Sequence, residues 1–134
     1  MSRPVQEQRN AYKGSPERPW VRLRLVDDRA GARDVELLAD TGNPCAVILG
    51  EQLMQQFRRG DGPDVQTNFG LLEGGWLYVL VPELGLGEFV LGYASDSVVV
   101  AARESCPDFE GLVGLPLLRL VEYGGDRNSF WLRR

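Results

Sequence analysis

The chain has 134 residues, a formal net charge of −4 and 43% hydrophobic residues, which is typical of one globular domain. It contains no histidine, and Lys13 is its only lysine. The missing imidazole excludes Ser-His-Asp and Cys-His catalysis, as well as zinc sites with histidine ligands. If the chain is an enzyme, its proton chemistry depends on carboxylates, tyrosine, lysine or cysteine.

The distribution of charge and of apolar residues excludes further classes. Acidic and basic residues are interspersed without a basic stripe, so we expect no nucleic-acid partner. The longest apolar run, residues 76–81, is too short for a membrane span, and the N-terminus lacks the apolar core of a signal peptide. Cys45 and Cys106 are too few for a disulfide framework or a cysteine metal cage. We expect a cytoplasmic protein with free thiols that needs no metal or other cofactor and no membrane.

The first part of the chain divides into an arm and the start of a sheet. Residues 1–19 are polar and contain three prolines, which predicts a flexible arm before a domain at 20–134. Val21, Leu23 and Leu25 alternate with arginines, which is typical of a half-buried strand. Turn residues at 27–31 lead to a second alternating segment that ends at Asp40, so we expect a hairpin.

The rest of the chain is predicted to be mostly strands. A strand at 46–49 precedes a helix at 50–59, where Leu53, Met54 and Phe57 share one face. Strands are expected at 65–72, 76–81, 88–92 and 97–102, with glycine-rich turns between them. A short helix is expected at Pro116, and a last hairpin at 119–123 and 129–134. The fold class is therefore mainly β, with one or two short helices.

The tripeptide Asp40-Thr41-Gly42 is the motif that points to chemistry. An apolar strand leads into it and another apolar segment leaves it, so the carboxylate is expected on a tight turn between two buried strands. A bare tripeptide of this kind is weak evidence. An ordinary turn in which Asp40 only accepts hydrogen bonds from backbone amides fits the segment equally well.

The segment 37–42 together with Gly111-Leu112-Val113-Gly114 and the following Leu115-Pro116-Leu117-Leu118 resembles the retropepsin family, the single-domain aspartic proteases of retroviral type. The resemblance covers roughly residues 20–134, and only its two short motifs are specific. It implies a small closed β-barrel of the acid-protease fold and a flap hairpin over the active site. Residues 67–78, turning at 73–75, are expected to form this flap.

The resemblance also implies an activity. The chain would be an aspartic endopeptidase whose catalytic Asp40 pairs with its counterpart in a symmetric homodimer, and a peptide or protein would be the substrate. Thr41 would brace the paired loops, and Gly42 would let the loop turn. The implied substrate cleft includes Ala39, Asn43, Phe69, Gly74 and Gly75.

Two departures from the family pattern leave an alternative open. Asn43 stands where alanine or serine is usual, and Leu115 stands where many viral members carry arginine or asparagine. The alternative is a catalytically inactive dimerisation or peptide-binding module with the same fold. An unrelated small β-barrel without an active site also stays open. The aromatic terminal strand 129–134 is expected at the dimer interface, because exposed edge strands tend to pair.

Overall fold

The computed structural model of the protein describes residues 6–134. Within this range the chain forms ten strands, three short α-helices and one 3₁₀ turn at Pro82–Leu84. The strands are β1 (Glu7–Ala11), β2 (Trp20–Asp27), β3 (Gly31–Asp40), β4 (Val47–Leu49), β5 (Gly60–Thr67), β6 (Gly70–Val81), β7 (Leu86–Ala94), β8 (Gly111–Gly114), β9 (Glu122–Gly125) and β10 (Ser129–Arg133). The helices are α1 (Glu51–Phe57), α2 (Asp96–Arg103) and α3 (Leu115–Leu118).

Six of the strands close into a barrel in the order β2-β3-β8-β4-β7-β6, and β5 extends it beyond β6. The barrel closes where Arg24, Leu25 and Val26 of β2 pair antiparallel with β6. The predicted alternation in β2 is confirmed, since Val21, Leu23 and Leu25 point into the barrel and are fully buried. The prediction of a mainly β chain with a closed barrel and few short helices is thereby confirmed. No helix among residues 6–134 is long and apolar enough to cross a membrane.

A second sheet, in the order β1-β10-β9, packs its inner face against the barrel through Phe130 and Leu132. Residues 1–5 of the predicted arm lie outside the described residues. For the rest of that arm, flexibility is the wrong prediction, because β1 pairs along its whole length with β10. The buried side chains of Gln8 and Asn10 also bond the backbone of β2 at Arg22 and Trp20.

The same sheet corrects the interface expected for the terminal strand. That expectation required β10 to be an unpaired edge strand. In the structure β10 is the central strand of its sheet and has β1 and β9 as neighbours. Its backbone hydrogen-bonding groups are therefore used within the chain. The edges of this sheet are β1 and β9.

Two further expectations are wrong for local reasons. The segment 97–102 is not a strand but most of helix α2, which begins where the side chain of Ser95 accepts a hydrogen bond from the Val98 amide at 3.2 Å. The β5–β6 hairpin turns at Asn68 and Phe69, between Thr67 and Gly70, and not at 73–75. The predicted helices at 50–59 and at Pro116 are confirmed as α1 and α3.

Candidate functional site

The Asp40-Thr41-Gly42 turn lies at the end of β3, where the chain leaves the barrel. Asp40 is the last residue of β3 and is exposed. Its Oδ1 accepts a hydrogen bond from the Gly42 amide at 3.0 Å, and its carbonyl oxygen accepts one from the Asn43 amide at 3.1 Å. The carboxylate therefore lies on a turn that its own hydrogen bonds make rigid.

Strand β8 passes between the two strands that flank this turn. It pairs parallel with β3, with Asp40 opposite Gly114, and antiparallel with β4, with Val47 opposite Val113. The loop from 41 to 46 closes around the end of β8, because the Gly114 amide donates to the Ala46 carbonyl at 3.0 Å and the Leu115 amide to the Asn43 carbonyl at 3.1 Å. The two motifs that were 72 residues apart in the sequence (40 and 112) thus form one structural unit.

A cleft of about 460 Å³ opens directly beside the carboxylate. Its floor is the Asp40 turn with two apolar side chains of the barrel, and its roof is the tip of the β5–β6 hairpin. The lining residues are Asp40, Gly42, Asn43, Pro44, Ile48, Val65, Gln66, Thr67, Asn68, Phe69 and Leu112. Two larger depressions, of about 510 and 620 Å³, lie elsewhere and contain none of the predicted site residues.

The hairpin is held over the floor by packing and by its own turn. Leu72, together with the partly buried Val65, packs in a small core cluster that also contains Ile48. At the tip, the Thr67 hydroxyl accepts a hydrogen bond from the Phe69 amide at 3.0 Å and donates one to the Gly70 carbonyl at 3.0 Å. Phe69 is left 56% exposed at the edge of the cleft.

Some of the predicted site residues come together and others do not. Asp40, Gly42, Asn43 and Phe69 line the cleft, and Thr41 lies beside it in a depression of about 330 Å³ with Leu115 and Arg119. Ala39 points the other way, into the barrel core.

Gly74 and Gly75 are not part of the hairpin tip but lie within β6, between β5 and β7. At Gly74 the backbone of β5 leaves no room for a side chain, and at Gly75 the Arg58 side chain would have to move. A Cβ on Gly74 would meet the Pro63 carbonyl oxygen at 2.1 Å, and one on Gly75 would meet the Arg58 side chain at 2.2 Å. Their role is close approach between neighbouring segments, and neither lines this cleft.

The segment predicted to cover the site, 67–78, includes the roof residues Thr67 and Asn68, but sequence reasoning did not find the roof residues Val65 and Gln66 or the floor residues Ile48 and Leu112. A signal for the roof exists in the sequence. Thr67 and Gly70 bracket Asn68 and Phe69, and this is turn chemistry of the kind that ends a hairpin.

Cys45 lies in the loop that carries Asp40 but has the properties of an inert core thiol. It is 3% exposed, and burial raises its pKa. Because the thiolate is the nucleophilic form, this environment disfavours a catalytic cysteine. Within residues 6–134, no three cysteine, aspartate or glutamate side chains are grouped closely enough to hold a metal ion.

Comparison of the chain with protein-family models, with curated proteins and with solved structures found no match.

Proposed function

We propose that the protein is a retropepsin-like aspartic endopeptidase in which the Asp40 carboxylates of two copies form the catalytic dyad. The observation that carries this proposal is the position of Asp40, exposed on a rigid turn in a cleft that a hairpin covers. A peptide in extended conformation fits a cleft of this kind, with Leu112 and Phe69 able to contact its side chains.

The chemistry needs two carboxylates that share one proton. At a separation of about 3 Å, two carboxylates cannot both be ionised, so one is protonated at working pH. The ionised carboxylate removes a proton from a water molecule, whose oxygen attacks the peptide carbonyl carbon while the protonated carboxyl donates its proton to the carbonyl oxygen. The tetrahedral intermediate then collapses: the carboxyl that took the proton from water donates it to the amide nitrogen, the other carboxylate takes a proton from a hydroxyl of the intermediate, and the C–N bond breaks.

The second carboxylate is assigned to a second copy because of what surrounds Asp40. Among the residues that line the cleft, Asp40 is the one titratable side chain. A symmetric pair with Asp40 near the two-fold axis supplies the missing group. The surface beside Asp40 that would then meet the other copy carries Thr41, Pro116 and Arg119.

The second candidate is a module that binds peptides or a second copy without cleaving them. Two observations favour it: a single chain supplies only half of a dyad, and the Thr67 hydrogen bonds restrict the hairpin tip that would have to admit a substrate. The two candidates differ in whether the Asp40 carboxylate is required for peptide-bond hydrolysis.

The test compares wild-type protein with Asp40→Asn, which keeps the size of the side chain and removes its charge. Cleavage is followed by mass spectrometry on a diverse peptide library between pH 3 and 8. We expect Asp40→Asn to lower the rate by at least about 10²–10⁴-fold, the range that general acid–base groups contribute. The matched control is Asp28→Asn in the exposed β2–β3 turn, which should cleave like the wild type.

Mixing adds a test of the shared site. If the dyad spans two copies, a growing excess of Asp40→Asn protein should inhibit the wild type by forming inactive mixed dimers, whereas Asp28→Asn should not inhibit it. Cleavage that survives Asp40→Asn would contradict the protease proposal. A stable dimer with no cleavage of any peptide would favour the binding module.

A further inference from the structure

One polar group next to Asp40 has no partner. Asn43 is 8% exposed, and among the described residues its Nδ2 is the buried side-chain nitrogen or oxygen that lacks a hydrogen bond. Its other polar groups are all paired: the amide with the Asp40 carbonyl, the carbonyl with the Leu115 amide, and Oδ1 with the Cys45 amide at 3.0 Å. A buried donor left unpaired is costly, so it calls for a reason.

The turn itself does not need an amide at this position. The bond from the Cys45 amide to Oδ1 is an acceptor role that a serine hydroxyl or a carboxylate performs equally well. The same bond fixes the orientation of the Asn43 side-chain amide. If Oδ1 and Nδ2 were exchanged, the NH₂ group would face the Cys45 amide, and two hydrogen-bond donors would oppose each other. Compared with a carboxylate, which would accept the same bond, asparagine adds only the unpaired Nδ2 donor.

A complementary acceptor lies on the same turn. Gly42 occupies Oδ1 of Asp40, and the described residues give Oδ2 no hydrogen-bond partner. Both Asp40 and Asn43 line the cleft. A free carboxylate oxygen and a free amide donor thus stand three residues apart on one short loop.

We propose that Asn43 is a positioning residue for Asp40, whose Nδ2 donates a hydrogen bond to Oδ2 when the second copy or a substrate assembles the cleft. This inference rests on the proposed function, since it concerns the ionised member of the dyad. A hydrogen bond to the charged form of a carboxylate favours that form. Asn43 thereby orients the base and keeps it ionised at lower pH.

Few other charged groups face this position. The cleft contains no titratable side chain but Asp40, and the hairpin above it contributes Gln66, Thr67 and Asn68. On the α3 side Arg119 lines the neighbouring depression together with Thr41 and Asn43. Within the loop itself, Cys45 is buried and its raised pKa keeps it neutral. The acidic limb of a pH–rate profile therefore reports on the Asp40 pair.

The kinetic experiment compares wild type, Asn43→Ala and Asn43→Ser. The alanine variant loses both the Cys45 bond and the donor, whereas the serine hydroxyl can accept from the Cys45 amide and still donate its proton. We expect Asn43→Ala to move the acidic limb of kcat upward by about one pH unit, with KM little changed. Asn43→Ser should restore much of the wild-type limb.

A spectroscopic readout keeps the inference separate from the activity. In the ¹⁵N spectrum of the dimeric protein, the side-chain amide protons of Asn43, assigned by their loss in Asn43→Ala, should shift on Asp40→Ala. If Asn43→Ala lowers kcat equally at all pH values and leaves the acidic limb in place, the role of Asn43 in the turn is only structural. If Asn43→Ala changes KM alone, the Asn43 amide contacts the substrate and not Asp40. Either result overturns this inference but leaves the proposed protease function intact. If the wild-type protein cleaves no peptide, the proposed function fails. Independently of cleavage, side-chain amide resonances of Asn43 that do not shift on Asp40→Ala would overturn the pairing of Asn43 with Asp40.

Discussion

At the scale of single residues, Gly114 decides whether the candidate site can form. It faces the loop that carries Asp40, and a Cβ there would meet the Cys45 carbonyl oxygen at 2.0 Å and the Asn43 carbonyl oxygen at 2.5 Å. Its backbone conformation, φ −111° and ψ −175°, is open to any residue. The requirement for glycine is thus one of space, because β8 must pass between β3 and β4 with no side chain in the way.

Gly114→Ala should therefore destabilise the protein by about 1–3 kcal/mol, the usual cost of inserting an atom group where none fits. The measurement is urea unfolding followed by tryptophan fluorescence. The control is Gly60→Ala, where an added Cβ would meet nothing within 4 Å. Equal stability of the two variants would contradict the close packing of the loop around β8.

The residues of the candidate site were predictable to the extent that their geometry is local. Asp40, Thr41 and Gly42 form a turn through hydrogen bonds between near neighbours, and a sequence pattern contains that information. Ala39 was misplaced because its direction depends on the phase of β3, in which alternate residues enter the barrel. Gly74 was misplaced because its constraint comes from Pro63 across the hairpin, and this contact is not visible in the segment around Gly74.

At the scale of elements, helix α2 shows how a cap can override the propensity of a segment. Three consecutive valines favour a strand in isolation. The buried Ser95 starts a helix instead, and Val98, Val99 and Ala102 then share one buried face. Asp96 in the first turn also accepts a hydrogen bond from the Glu51 amide at 3.0 Å, which ties α2 to the start of α1.

Removing this cap should have a measurable cost. We expect Ser95→Ala to lower the free energy of unfolding by about 1 kcal/mol, because the Val98 amide loses its acceptor. In a thermal melt this corresponds to a fall of a few degrees in Tm. Ser97→Ala, an exposed change in the same helix, serves as the control and should melt like the wild type. A Ser95→Ala melt that matches the control would refute the capping role.

The turn of the β5–β6 hairpin was misplaced by a related ambiguity. Two glycine-containing segments, 70 and 74–75, each offer a turn, and glycine serves both tight turns and close strand packing. Gly70 has φ +97° and forms the turn, whereas Gly74 and Gly75 lie in extended pairing with β7. Which of the two roles a glycine performs depends on the partner strand, so single-sequence patterns could not decide it.

At the scale of the whole molecule, the N-terminal segment completes the barrel. Strand β2 pairs with β6 only over Arg24 to Val26, which leaves the first half of β2 with free backbone groups on that side. Gln8 fills this edge, accepting from the Arg22 amide at 2.8 Å and donating to the Arg22 carbonyl at 2.9 Å. The inward residues of β1 are polar because they face a strand edge, and this hid the strand from a search for apolar periodicity.

Lys13 holds the residues that follow β1 against the rest of the protein. It is paired with Glu36 and Asp108 and lies over the ring of Trp20 at 4.1 Å from its centroid. Burial lowers the pKa of its ammonium group, but the hydrogen bonds and charges of Glu36 and Asp108 outweigh burial and hold that pKa above its ordinary value. The only lysine of the chain therefore stays charged and has a structural role.

The junction of β1 and β10 predicts a weakness in acid. Hydrogen bonds from Arg9 and Arg133 hold the pKa of Glu7 below its ordinary value of 4.5. Because the folded pKa is below that of the unfolded chain, the contact stabilises the fold above about pH 4.5. The stabilisation is lost as the pH falls through the folded value.

Glu7→Gln should thus shrink the drop in Tm between pH 7 and pH 3, measured by circular dichroism. Part of the drop should persist, because Arg24 likewise holds the pKa of Asp34 below its ordinary value. Glu104→Gln, an exposed change without a salt bridge in the described part of the chain, should leave the drop as it is in the wild type. An unaltered drop in Glu7→Gln would show that the junction contributes nothing to acid sensitivity.

The pairing of β1 with β10 also brings the two ends of the described chain together. The Arg134 amide donates to the Gln6 carbonyl at 3.1 Å. A short turn of about two or more residues joining Arg134 to Gln6 would close the described chain into a ring, and new ends could be opened in the exposed turn between β2 and β3. In such a circular permutant, the connectivity of the chain changes while the loop that carries Asp40 and the strand that passes through it stay on one continuous segment.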